Sequence, residues 1–194
     1  LEDPWIAIVD GEKKEVQKIE RLEFSESELI PRIQKKTKAF LKKNDRKKLN
    51  AFSSALFCQD FLINKTPDVE IKKVDSIVGM GVFAKTIIPR LSYVGEYVGI
   101  VRRRNRLLDP GNPYIFRYLR SSLFCPLVVD AREKGNFTRF INHSDEPNLT
   151  SRWLIVDGVY HIILFSNQMI LPGTQITYDY GESYWRKKAN PIVL

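Results

Sequence analysis

Four short stretches of this 194-residue chain gather side chains that can do chemistry together. Near its end, Ile176-Thr-Tyr-Asp-Tyr-Gly181 sets two phenols one residue apart around a carboxylate, with a glycine behind them. On a strand, Tyr178 and Tyr180 would point to one face, because side chains alternate with period two. Arg139-Phe-Ile-Asn-His-Ser144 places a guanidinium, an amide and an imidazole just ahead of the turn-forming Asp145 to Asn148. Gly79-Met-Gly-Val-Phe-Ala84 follows a strand-like run, and its glycines let backbone approach a ligand closely. Glu96-Tyr-Val-Gly99 contributes a further phenol.

Each stretch also has a purely structural explanation. Tyrosines on strands are commonly packing residues with one wet end. An Asn142-His143 pair can be a hydrogen-bonded core element, or Asn142 and nearby backbone can read the edge of a heterocycle. A nucleophilic triad is not supported, since His143 has no serine or cysteine in a G-x-S-x-G or comparable context. The glycine pair lacks the third glycine that opens a helix in dinucleotide sites, and Val82-Phe83 continues as strand, which disfavours a Rossmann site.

The elements that must position these residues change character near residue 65. Before it the chain reads as helical. Ser25 with Glu28 has the form of a capping box and Pro31 suits a first turn. Leu29, Ile30, Ile33, Thr37, Phe40 and Leu41 recur at helical spacing, and Leu49, Phe52, Leu56 and Phe57 suggest a second helix begun at Asn44 or Asp45. From Val69 onward VEIKKV, SYVGEYVGIV, FCPLVVDA, VYHIILFS and QITYDY read as short strands separated by glycine and proline, so the main domain is expected to be mostly β. No solenoid repeat or low-complexity tract is present.

An apolar fraction of 43% supports a true core, and an excess of 31 Lys and Arg over 23 Asp and Glu gives +8, favouring polyanionic or acidic surroundings. Nine basic residues and one acid, Asp45, lie between Arg32 and Lys48, either as a solvated helix face or as a surface for a polyanion. Two cysteines, Cys58 and Cys125, and two histidines, His143 and His161, argue against a disulfide framework or a zinc cluster, so no metal is expected. No apolar run approaches the ~20 residues of a membrane-spanning helix. The first residue is leucine, so the chain is expected to be part of a longer protein and a native targeting segment would not be visible.

Taken in order, GMGVFA, EYVG, RFINHS and ITYDYG resemble the SET-domain family of protein lysine methyltransferases, with intermediate matches at Tyr114-Ile-Phe-Arg117, Val129-Asp-Ala131 and Ile170-Leu-Pro-Gly173. The similarity runs from Val69 to Tyr184. It implies a mainly β fold of small curved sheets with a C-terminal pseudoknot: a helical segment over 1–65, a catalytic domain over 66–183, and a tail over 184–194 that completes the active site. The implied cofactor is S-adenosyl-L-methionine, held by backbone from Gly79 through Met80, Gly81 and Val82, by Asn142 and His143, and by Tyr114, Arg139, Tyr180 and an aromatic lid at Trp185. Tyr97 and Tyr114 match channel tyrosines, Tyr180 the phenol that aligns amine and methyl, and Tyr178 the position that limits how many methyls are added. Mono- or dimethylation of a histone or histone-like basic protein is therefore expected. The arginine cluster at 102, 103, 104 and 106 falls in an insert that often contacts substrate in this family, or forms a solvated loop. Cysteine-rich flanks are lacking. A non-histone or self-methylating enzyme, or a silent module binding basic tails or nucleic acid, remain as alternatives. Expected partners are a lysine-bearing protein and, weakly, nucleic acid, without membrane contact. The expected location is inside the cell: on chromatin or in the nucleus for a eukaryotic or host-delivered protein, otherwise in the cytoplasm.

Overall fold

A computed structural model describes residues 5–9, 12–76, 78–105, 107, 109–118, 126–181 and 184. In chain order the strands are β1 (Trp5–Val9), β2 (Glu12–Lys18), β3 (Glu23–Phe24), β4 (Val69–Asp75), β5 (Gly79–Ala84), β6 (Tyr93–Glu96) and β7 (Ile100–Arg103). They continue with β8 (Ile115–Tyr118), β9 (Leu127–Asp130), β10 (Lys134–Gly135), β11 (Asn142–His143), β12 (Leu149–Val156), β13 (Val159–Ser166) and β14 (Gln175–Tyr178). Helices α1 (Leu29–Phe40) and α2 (Asn44–Leu62) stand between β3 and β4. The mainly β architecture with two helices near the start is the one expected. Ahead of those helices, however, the chain forms the β1–β2 hairpin, which a helical reading of the first residues leaves out. Local pattern could not reveal it, because β2 is charged along its length and gains its place through non-local pairing with β10.

The chain divides into two compact units, one of residues 1–56, 96–139 and 153–162, the other of residues 57–95, 140–152 and 163–194. In the first, β1-β2-β10 form one sheet and β3-β7-β9-β8 another. The inner face of α1 closes the core, with Leu29 and Ile33 buried among Tyr97, Val101, Tyr118, Leu127, Val129 and Ile162. The expected capping box does not form: Glu28 is the N-cap and offers no side-chain bond, while the Ser25 N–H is committed to the Val101 carbonyl through the β3–β7 pairing. At the tip of the β12–β13 hairpin, Asp157 and Gly158 both have positive φ, 51° and 77°, the two-residue turn that suits strand twist.

In the second unit β14, the last strand in sequence, is inserted between β5 and β12 in the order β4-β5-β14-β12-β13-β6, with β11 also paired to β14. A C-terminal strand placed centrally is what the expected pseudoknot requires. The end of α2 is closed by Asn64 in the left-handed region (φ 51°), the Lys65 N–H bonding to the Asp60 carbonyl and the Asn64 N–H to that of Phe61. This is a Schellman motif with asparagine in the usual glycine place. Phe57 packs on Phe165 in a tilted arrangement at 4.9 Å and Phe61 meets Tyr93 edge-on at 6.5 Å, anchoring the last turns of α2. Among the described residues no helix is long and apolar enough to cross a membrane.

Candidate active site

The second unit holds eight of the predicted residues: Gly79, Met80, Gly81, Val82, Asn142, His143, Tyr178 and Tyr180. β11 lies parallel to β14, with Asn142 opposite Thr177 and His143 opposite Tyr178. β14 stops at Tyr178, so strand alternation does not account for the two tyrosines. Instead the Tyr180 N–H donates to Nδ1 of His143 at 3.2 Å, and its hydroxyl donates to the Ile141 carbonyl at 2.9 Å. These two bonds swing Tyr180 beside Tyr178, with ring centroids 4.8 Å apart, and Tyr184 packs edge-on against it at 4.7 Å. Tyr178 is buried, Tyr180 half-buried.

Accepting at Nδ1 assigns the remaining proton of neutral His143 to Nε2, which faces Asp145 Oδ1 at 3.2 Å. The imidazole thus works as an internal brace between Asp145 and the backbone of Tyr180. Asn142 donates from Nδ2 to the Met80 carbonyl at 3.0 Å, tying the glycine-rich strand β5 to β11. A Cβ on Gly81 would lie 2.7 Å from Val74 Cγ2, 2.8 Å from Gln175 Nε2 and 3.2 Å from Asn142 Nδ2. The glycine is therefore demanded by neighbouring side chains as well as by any approaching ligand. Gly79 has φ 83° and open space in the Cβ direction, so its requirement is conformational. Val82 is fully buried and pairs with Ile176 across the β5–β14 ladder.

Three further predicted residues come together in the first unit. Tyr97 is buried and donates its hydroxyl to the Tyr114 carbonyl at 2.9 Å, while its ring packs on Phe116 at 5.3 Å. The Arg139 guanidinium lies 3.9 Å over the Tyr114 ring, and its Nε donates to the Ala131 carbonyl at 2.8 Å. Burial lowers the Arg139 pKa from its usual value, opposed by Tyr114 and Tyr97. With only 5% of its surface exposed, Arg139 acts as a support that orients Tyr114. Trp185 lies outside the described residues.

Sequence reasoning missed a hub behind Tyr97. Glu96, 1% exposed, receives a 2.6 Å bond from Nδ1 of His161 on its carboxylate. Its carbonyl accepts from Asn136 Nδ2 at 3.0 Å and Thr138 Oγ1 at 3.2 Å. Thr138 precedes Arg139 in a 3-10 turn, Phe137–Phe140, so Glu96, the last residue of β6 and the one before Tyr97, is tied to the turn carrying the partner of Tyr114. The partners are 40 to 65 residues apart, and no local signal could join them. Burial also raises the Tyr118 pKa far above the ordinary phenol value, with a smaller contribution from Glu96, so that phenol stays neutral.

The arginine cluster behaves differently from a substrate-contacting insert at one position. Arg102 is clamped between Asp109 Oδ1 and Asp130 Oδ2, each 2.6 Å from Nη2. Burial alone would lower its pKa, but the two carboxylates outweigh that and raise it. Asp130 also accepts from Asn112 Nδ2 and from the Arg132 N–H. Arg106 lies outside the described residues. Arg102→Ala strands two nearly buried carboxylates and is expected to lower unfolding free energy by about 2–3 kcal/mol, after discounting for the partly exposed guanidinium. Denaturant titration checks this; an unmoved midpoint together with weakened substrate affinity would restore the substrate-contact role.

The SET domain family model matches residues 79–181, more than half the chain. The protein belongs to the SET-domain family. Histone-lysine N-methyltransferase Set2 of Drosophila melanogaster is 39% identical over 110 residues, covering 53% of this chain and 5% of that protein. Histone-lysine N-methyltransferase 2B of Homo sapiens is 41% identical over 112 residues, covering 54% and 4%. A crystal structure of KRYPTONITE with mCHH DNA, an H3(1–15) peptide and SAH superimposes with a TM-score of 0.51 at 36% identity, over 59% of this chain and 23% of that one. A second KRYPTONITE structure, with mCHG DNA and SAH, gives 0.50 at 35% identity. The chain thus spans only a small fraction of these curated relatives. The matched range includes β5, β11 and β14, and β14 pairs with both of the others. Among the described residues no group of three or more His, Cys, Asp or Glu could hold a metal ion.

Proposed function

We propose that this SET domain is a protein-lysine N-methyltransferase that takes its methyl group from S-adenosyl-L-methionine. The observations that support the reading are the cluster of Tyr178, Tyr180 and Tyr184 and, separately, the Asn142–Met80 bond. Aromatic faces, phenol oxygens and half-exposed glycine-rich backbone suit a sulfonium flanked by hydrogen-bonding groups. SAH in both KRYPTONITE structures supports the same ligand class here.

The donor supplies an activated methyl and its own leaving group. A lysine amine attacks the methyl carbon in line, the carbon–sulfur electron pair returns to sulfur, and the new nitrogen–carbon bond leaves a proton to be released to water. Two tasks remain for the protein. It must hold nucleophile and methyl collinear, which contributes several kcal/mol in well-oriented reactions. It must also accept the lysine neutral although its solution pKa is ~10.4, and desolvation beside a sulfonium disfavours the ammonium on both solvation and charge grounds.

The family resemblance suggests a role for each residue. Backbone at Gly79, Met80, Gly81 and Val82 and at Asn142 and His143 is assigned to the donor, with Trp185 as an aromatic cover. Tyr97 and Tyr114, the latter oriented by Arg139, are assigned to passage of the lysine side chain. Tyr180 directs its oxygen at the reacting amine, and Tyr178 sets how many methyls fit. The substrate is a histone or histone-like basic tail, as in the histone-lysine methyltransferases that are its relatives, and the product is mono- or dimethyllysine.

Incubation with donor labelled in the methyl group, on histones, on free DNA and on the protein alone, tests the reading. Label on lysine of a histone supports it, and label only on the protein itself turns the assignment to self-methylation. No label anywhere, with donor bound, overturns it in favour of a silent binding module.

A further inference from the structure

We propose that the outer face of α1 and the turn into α2 bind the phosphate backbone of duplex nucleic acid. Leu29, Ile33 and Thr37, at four-residue spacing, are buried on the inner face of α1. With 100° per residue, Arg32, Lys35 and Lys38 fall on the opposite arc. Lys42 and Lys43 form the turn and Lys47 follows in the first turn of α2; all six side chains are exposed. None of them takes part in an ion pair or side-chain hydrogen bond among the described residues.

That absence is what separates this surface from an ordinary charged helix. A solvated face of a stable helix mixes signs and gains from i,i+4 pairs. Here like charges crowd the arc, and the one acid of the segment, Asp45, makes no ion pair with them. The repulsion is relieved by a partner with closely spaced anions. Duplex DNA, with a charge every ~1.7 Å of axis and counterions to release, fits that need. Lys38, Lys42 and Lys43 also gather where the negative end of the α1 dipole lies, which helps hold them together there.

An anionic bilayer is the rival occupant, because Leu49, Phe52 and Leu56 of α2 are also exposed, at 39%, 53% and 41%. A surface helix inserts with large apolar residues on the face that meets the lipid. The residues sharing the outer arc of α1 with the cations are Pro31 and Ala39, and the larger apolar side chains begin only beyond the lysines of α2. The centre of positive charge therefore presents no wedge, and a phosphate backbone is the better match. None of these six residues is among those assigned to methyl transfer.

The test is fluorescence anisotropy of a labelled ~25 base-pair duplex of arbitrary sequence, titrated with the whole chain at several salt concentrations. The comparison is the combined Lys35→Glu, Lys38→Glu, Lys42→Glu, Lys43→Glu variant. Binding should weaken at least tenfold, and the slope of log affinity against log salt should become shallower by about 3–4, close to 0.9 for each lost contact. Methylation of a free peptide, which does not need this face, should be unchanged. Should the glutamate variant unfold, glutamine at the same four positions removes the charge without reversing it. Duplex affinity within twofold of the parent, or salt-insensitive binding, overturns the proposal. So does binding to vesicles containing anionic phospholipid without binding to the duplex.

Discussion

Tyr180→Phe is expected to reduce methyl transfer roughly 100-fold or more while donor affinity stays within about threefold, since a single oriented polar group at a reacting centre carries effects of that size. The phenylalanine keeps the ring in place, because the anchoring bond from the residue 180 backbone to His143 and the contacts with Tyr178 and Tyr184 do not need the oxygen. What is lost is the hydroxyl, which donates to the Ile141 carbonyl. The accompanying loss of stability should be only about 1 kcal/mol, the usual net value of such a bond. Single-turnover kinetics separate the effects: a variant that binds donor normally and transfers at near-parental rate removes Tyr180 from the chemistry.

Tyr178→Phe should change the product rather than the rate. Tyr178 is 6% exposed, and its ring sits 4.8 Å from that of Tyr180. Removing one oxygen from so enclosed a position opens room for another methyl and deletes a group able to hold the amine or a water in one orientation. The parent is expected to stop at mono- or dimethyllysine, and the variant to raise the tri- to dimethyl ratio at least tenfold, ~1.4 kcal/mol in relative barriers. Mass spectrometry of a methylated peptide through the time course reads this directly. Ready trimethylation by the parent would overturn the role of residue 178.

Much of this site was legible because its residues lie in four compact segments, each with a recognisable local pattern. The run Val159–Ser166 is one strand as read, and α2 starts at Asn44, one of the two expected positions. The strand reading of SYVGEYVGIV was too simple. It breaks between Glu96 and Ile100, where a Cβ on Gly99 would come within 2.4 Å of the Asp130 carbonyl oxygen. A close backbone approach made by a residue 31 positions away leaves no trace in local alternation. The tyrosine pair is more instructive. The two rings were expected to neighbour each other by alternation on one strand, yet they do so because His143 and Ile141 capture the main chain and hydroxyl of Tyr180 after the strand has ended. Right neighbours can follow from the wrong cause when side-chain capture reproduces the geometry of a ladder.

What was not legible rests on long-range polar bonds. Arg102 reads as one of a run of surface arginines until Asp109 and Asp130 enclose it, and Glu96 reads as a strand glutamate until His161 meets it in the interior. Charged residues are placed by partners rather than by hydropathy, so a sequence shows their number long before it shows which of them are committed.

A structure of the chain with S-adenosylhomocysteine and a lysine peptide bears most directly on the claim that these tyrosines orient a lysine amine toward a sulfonium methyl. The thioether sulfur should lie on a line with the lysine nitrogen, and the Tyr180 hydroxyl should be within hydrogen-bonding distance of that nitrogen. A ligand seated away from Met80 and Asn142, or a lysine that never comes near residue 180, would contradict it.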